Sequence, residues 1–160
     1  MSRGEFTVRV KEELAALRPA APAERRALLA ALLRFAATLQ IGGLPGGSSR
    51  FTLVLAGGSG GVARLAFWLL HAGYGVRPDF RVREAGALAP RARYEVVLVE
   101  RVEQVLADTG ILDAAGRLSY GVSGALVRGR DAAACFARGA FLGRGSVSAP
   151  TREPHLEIGA

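Results

Sequence analysis

A chain of 160 residues has room for one ordinary domain with a core of useful size. Half of it is hydrophobic and 22% is charged, which excludes a disordered chain, and no apolar run is long and charge-free enough to span a bilayer. The formal charge of +7 and the pI near 10.9 favour an anionic partner such as nucleic acid. Arginine supplies every basic residue except Lys11, and the arginines are spread along the chain, so a GC-rich coding bias explains part of that charge.

In chain order, Phe6, Val10, Leu14 and Leu17 recur at helical spacing, and Pro19 and Pro22 close that first helix. Met1-Ser2-Arg3-Gly4-Glu5 leads into this acidic amphipathic stretch rather than into a signal-peptide core, so a cytoplasmic address is expected. Pro22 and Glu24 suit the start of a second helix running to about Leu39, apolar nearly all round and therefore buried on several sides. Gln40-Ile41 reads as a short strand, Gly42 to Gly47 as a turn, and Phe51 to Ala56 as a strand rich in β-branched and aromatic residues. A glycine loop, Gly57 to Gly61, leads into a helix from Val62 to Ala72 that Gly73 and Gly75 end.

Val76 to Val82 and Tyr94 to Val99 are two further strands, and Val102 to Asp108 is a short helix. Strands and helices do not alternate regularly, which argues for an α+β fold on a mostly antiparallel sheet. The Gly/Ser/Ala-rich stretch from Asp113 to Arg130 reads as a linker, and Asp131 as the N-cap of a helix from Ala132 to Gly143. One more strand-like piece, His155 to Ile158, closes the sequence.

Three segments together carry a family resemblance. Phe6-Thr7-Val8-Arg9-Val10-Lys11-Glu12-Glu13-Leu14 resembles the opening of WhiA-family regulators. Arg26 to Phe35 is similar to that family's first LAGLIDADG-type helix. Arg138 to Ser148, followed by His155-Leu156-Glu157-Ile158, is similar to its second, and Thr109-Gly110-Ile111-Leu112-Asp113 fits a further family element. The resemblance implies a homing-endonuclease-like fold: an αββαββα first repeat, then the beginning of a second. The expected organisation is an N-terminal helix over 1–20, the first repeat over 21–113, a linker over 114–130, and the start of a second repeat, cut short, over 131–160.

In that architecture the two LAGLIDADG helices pack closely, which requires small residues one turn apart. Ala27, Ala30 and Ala31 offer them on the first helix, Gly139 and Gly143 on the second. Glycine inside a helix costs roughly 1 kcal/mol relative to alanine, so Gly139 points to a steric requirement. In the nucleases of this fold an acidic residue near the end of each helix binds the divalent metal that activates water. The matching positions here are Ala36 and Arg144, and neither offers a carboxylate. No catalysis, no metal site and no cofactor are expected.

The resemblance implies a non-enzymatic, nucleoid-associated transcription regulator of sporulation and cell division. In the family a helix-turn-helix domain follows this region and carries most of the promoter reading. DNA contact from this part should be weak and indifferent to sequence. Arg77, Arg81 and Arg83 alternate along an expected strand, and Arg91 and Arg93 on the next would extend the same face toward phosphates. The rival reading is a scaffold that contacts a regulatory protein partner and never touches DNA.

Several features imitate other chemistry. Leu53 to Ala63 resembles a strand, glycine loop and helix that could receive a pyrophosphate, with Glu84 loosely placed for a ribose, but the glycine spacing is only approximate. Ser146, Ser148, His155 and Glu157 suggest a hydrolase triad without fixing its geometry. The single cysteine, Cys135, excludes an intrachain disulfide, and with His71 and His155 far apart it leaves a metal centre without a ligand set. Cys135 reads as a small hydrophobe and Trp68 as core.

Overall fold

The computed structural model of the chain describes residues 2–42, 49–151 and 153–159. Helix α1 (Arg3–Ala15) starts on a capping box, in which the Ser2 hydroxyl accepts from the Glu5 N–H and the Glu5 carboxylate accepts from the Ser2 N–H. Helix α2 (Pro22–Ala36) carries proline in its first turn, where the missing N–H is no loss, and its seven residues from Ala27 to Leu33 are all buried. It ends at Ala36 rather than at Leu39, because residues 37 to 41 pair with the next strand. Strand β1 (Ala37–Ile41) thus begins three residues earlier than the sequence suggests. Apolar content in this stretch does not separate a buried helix from a strand.

Most of the expected turn from Gly42 to Gly47 lies outside the described residues. Strand β2 (Phe51–Gly57) follows, then α3 (Gly60–Tyr74), β3 (Asp79–Arg83), β4 (Arg93–Leu98) and α4 (Val102–Asp108). The αββαββα order over residues 22 to 108 is that of a LAGLIDADG-like repeat. The sheet order is β1-β2-β4-β3 with every pairing antiparallel, so β1 and β3 are its edges. Phe51, Leu53, Leu55, Val96 and Leu98 point to one face and meet Leu28, Leu29 and Leu32 of α2, Leu65 and Leu69 of α3, and Val105 and Leu106 of α4. Burial of such side chains contributes about 1.5–3 kcal/mol each, and this layer is the core.

Residues 109 to 129 form no helix or named strand; they start from buried Thr109 and Leu112, the latter bridged to Leu118, and then run over the surface. Buried Leu126 and the guanidinium of Arg34 hold this connection, the latter donating to the carbonyls of Gly110 (2.8 Å) and Ser119 (3.2 Å). Helix α5 (Arg130–Arg144) starts before Asp131, which sits inside the first turn; the N-cap is Gly129, at φ 86°, with no side-chain cap. After α5 come two strands rather than one. β5 (Gly145–Val147) and β6 (Leu156–Ile158) form an antiparallel hairpin that the sequence does not announce, since only one of them has a strand-like apolar pattern.

Candidate nucleic-acid interface and the degenerate helix ends

The contact between α2 and α5 is the largest between any two elements. It is close because α5 presents glycine. A Cβ at Gly139 would stand 2.5 Å from the Leu28 carbonyl oxygen and 2.8 Å from the Ala31 Cβ; one at Gly143 would stand 2.8 Å from the Phe35 Cβ. Ala27, Ala30 and Ala31 are fully buried on α2. Both helices feed directly into a strand, α2 into β1 and α5 into β5, so Ala36 and Arg144 occupy equivalent last positions.

These positions are chemically opposite to a metal site. Arg144 Nε donates to the Phe35 carbonyl at 3.0 Å, closing the end of one helix onto the other. Ala36 lines a cavity of about 140 Å³ with Gly143 and Lys11. The ammonium of Lys11 lies 5.8 Å from the Phe141 ring centroid, and burial pushes its pKa below the ordinary lysine value. Arg144 lines a second, larger groove. Neither space is bordered by an acidic residue among those described, and no cluster of three or more His, Cys, Asp or Glu stands close enough to hold a metal there. Sequence reading missed Lys11. Its signal was the position one turn after Thr7, on the inward side of α1.

The glycine loop is already occupied. Ser59 caps α3, its hydroxyl accepting from the Val62 N–H at 3.1 Å, so Gly60 and Gly61 are helical rather than loop. The Glu12 carboxylate accepts from the Ser59 hydroxyl (2.7 Å) and the Gly61 N–H (3.0 Å), and it pairs with Arg64 at 3.6 Å. A carboxylate of the chain itself therefore sits where a pyrophosphate would bind. On its opposite side α1 reaches β5, where the Thr7 hydroxyl donates to the Val147 carbonyl and accepts from its N–H, each at 3.0 Å. Helix α1 thus braces α3 to the β5–β6 hairpin.

The arginines divide. The antiparallel register places Arg81, Arg83 and Arg93 on the sheet face opposite the helices, with Arg83 directly across from Arg93 and Arg81 across from Glu95. All three are exposed, and exposed Thr38 and Gln40 lie on the same face at its far edge, with β2 between β1 and β4. Asp79 pairs with Arg81 at 3.2 Å and Glu95 with Arg83 at 3.9 Å, so five charged groups leave this face at a net +1. Arg77 lies before β3, not on it. Buried Pro78 intervenes, and a residue without an N–H belongs at the start of a strand. Arg91 also lies outside its strand, with its guanidinium against Gly4 of α1.

The remaining imitations resolve similarly. The Ser148 hydroxyl accepts from the His155 main-chain N–H (2.8 Å) and donates to the Glu153 carbonyl (3.2 Å), tying the hairpin turn. The Ser146 hydroxyl accepts from Arg3 (3.1 Å). Trp68 is half-buried against the core, with the guanidinium carbons of Arg18 and Arg25 each 4.9 Å from its ring. Cys135 is half-buried, and burial pushes its thiol pKa up, away from reactive thiolate.

The sequence profile of the WhiA N-terminal LAGLIDADG-like domain matches residues 22–112. The chain belongs to the WhiA family. A protein named probable cell division protein WhiA in Heliobacterium modesticaldum is 36% identical over 155 residues, and one of the same name in Frankia alni is 40% identical over 156. Each alignment covers 96% of the chain, which spans under half of these curated relatives, 47% and 46% of their lengths. Full-length WhiA from Thermatoga maritima superposes with a TM-score of 0.64 at 17% identity, over 96% of this chain and 44% of that one. The crystal structure of the N-terminal LAGLIDADG domain of WhiA superposes with a TM-score of 0.62 at 21% identity, over 96% and 65%. At these identities the superpositions speak for the WhiA fold alone. No helix among the described residues is long and apolar enough to cross a membrane.

Proposed function

We propose that this WhiA-family chain is the non-catalytic scaffold of a DNA-associated transcription regulator acting in cell division and sporulation, at the nucleoid. One observation carries the non-catalytic half of the reading: the two helix ends that hold metal in nucleases of this fold carry alanine and a cation. Arg144 is committed to a main-chain carbonyl and Lys11 shares the Ala36 cavity, so positive charge stands where a divalent cation would have to enter. The names of its relatives support the cell-division setting.

The DNA-facing surface in this reading is the open sheet face with Arg81, Arg83 and Arg93. Two of these arginines already pair with acids, Arg81 with exposed Asp79 and Arg83 with half-buried Glu95; the exposed pair is worth only about 0–1 kcal/mol, so a phosphate can displace it. Each phosphate contact contributes a slope of roughly −0.9 in log K against log salt, and three would give about −2.7. Duplex binding measured from low to moderate salt should be weak, indifferent to sequence and close to that slope. The Arg81→Gln/Arg83→Gln/Arg93→Gln variant should lose most of it while melting at the parent's temperature. An unchanged slope in the variant would make the face merely solvated. The second reading, a protein-binding scaffold without DNA contact, draws support from the net charge of only +1 on that face, and absence of parental binding at low salt would favour it.

A further inference from the structure

The two repeats treat their first strands differently. Strand β5 is covered at its outer edge, where the Thr7 hydroxyl bonds both the N–H and the carbonyl of Val147. The equivalent residue of β1, counted from the helix ends, is Leu39. The Gly42 N–H donates to the Arg50 carbonyl, and antiparallel alternation then turns the main-chain groups of Leu39 and Ile41 outward from the sheet. No hydrogen bond to them exists among the described residues, and Ile41 is 73% exposed.

Beside this open edge runs a groove of about 580 Å³. Its floor is apolar, with Leu39 and Leu53 from the sheet and Leu33 and Phe35 from α2. Leu118 and Tyr120, in the connection that Arg34 holds, form its far wall. Tyr120 is 92% exposed although the residue before it is fixed, the Ser119 N–H donating to the Ile111 carbonyl and the Ser119 carbonyl accepting from Arg34. The charge lining the groove is one-signed: Arg34 and Arg144, with no acid among the described lining residues. Arg34 Nε is buried without a partner, and Arg144 is exposed with only its Nε committed.

We propose that this groove is a strand-addition site for an extended peptide of another protein, one with alternating apolar side chains and an acidic residue. The peptide main chain pairs with the outward groups of Leu39 and Ile41, its apolar side chains lie on Leu53 and Phe35 beneath Tyr120, and its carboxylate meets Arg144. The charge complementarity selects an acidic over a basic segment. The site is separate from the arginine face of the sheet and does not rest on the DNA reading.

The test is selection of a displayed random decapeptide library on the full chain, followed by amide chemical-shift mapping with the enriched peptides. Enriched sequences should alternate apolar and polar residues around one Asp or Glu, and should shift the amides of residues 37–41 and 118–122. Loss of the charge-assisted contact in Arg144→Gln should weaken binding roughly tenfold. Leu39→Pro removes an outward N–H without touching the β1–β2 ladder and should abolish binding. Leu118→Asp, at a partly exposed wall position, serves as a second variant if the proline unfolds the chain. The proposal is overturned if no sequence pattern is enriched, or if the shifts fall outside the groove. It is equally overturned if binding survives Leu118→Asp, or if the same amides shift only with concentration, which assigns the edge to a second copy of the chain.

Discussion

Replacing Gly139 with alanine sets two known effects against each other. Alanine in place of glycine should favour α5 by up to about 1 kcal/mol through helix propensity alone. Against that, the new methyl would lie 2.5 Å from the Leu28 carbonyl oxygen and 2.8 Å from the Ala31 Cβ, whereas such contacts settle near 3.5–4.0 Å. Neither obstacle is a flexible side-chain end, so α2 and α5 must separate by about 1 Å, breaking the packing of Leu28 and its neighbours. Overpacking typically costs about 1–3 kcal/mol, and with main chain as the obstacle the upper part of that range applies. The net loss is about 1–2 kcal/mol, or roughly 2–8 °C in Tm for a chain of this size. Calorimetric or dichroism melting of Gly139→Ala checks it, with Gly73→Ala as the opposite-signed control. A Cβ at Gly73 meets nothing within 4 Å, so that change should hold or raise Tm. A Gly139→Ala variant as stable as the parent would refute the close-approach argument.

Three further outcomes follow from the geometry. Supercoiled DNA should remain intact under magnesium or manganese, and metal-dependent nicking that persists through purification and tracks the protein would overturn the non-catalytic reading. Glu12→Gln removes the charge at the start of α3 and the pairing with Arg64 while keeping an acceptor, so it should cost about 0.5–2 kcal/mol in denaturant unfolding. No change there would mean that α1 does not brace α3. Burial holds the Lys11 pKa below its ordinary 10.5, so between the folded and unfolded values the unfolded chain binds more protons and stability rises with pH. Lys11→Met should flatten that alkaline rise; an unchanged profile would remove Lys11 from the account.

The αββαββα repeat was legible because helix and strand periods, proline and glycine punctuation and buried volume agree over residues 22 to 108. Boundaries failed where local signals compete. Residues 37–39 continue the apolar character of α2, and only pairing with β2 decides that they are strand. β5 escaped notice because Gly145-Ser146-Val147 has no strand signature of its own; Thr7, well over a hundred residues earlier, supplies its edge bonds. The arginine stripe was legible as alternation but not as register. Pro78 moves the start of β3 past Arg77, and Arg91 turns away to α1, leaving Arg93 to join Arg81 and Arg83 through cross-strand pairing.

The glycine loop shows why a motif needs its surroundings. Sequence spacing gave Leu53 to Ala63 the parts of a phosphate site: a strand, glycines and a helix N-terminus. What decides its chemistry is Glu12, contributed by a helix 49 residues upstream of the Gly61 N–H that it accepts from. A helix N-terminus favours any anion, and an internal carboxylate needs no free ligand and loses little entropy once α1 is docked. The same economy operates at the other end of α1, where Thr7 satisfies β5. One short helix thus closes both an anion site and a strand edge. β1, an edge that α1 does not reach, has no hydrogen bond to its outward main-chain groups among the described residues and lies beside an arginine-rimmed groove, which is why the proposed peptide site falls there rather than at β5.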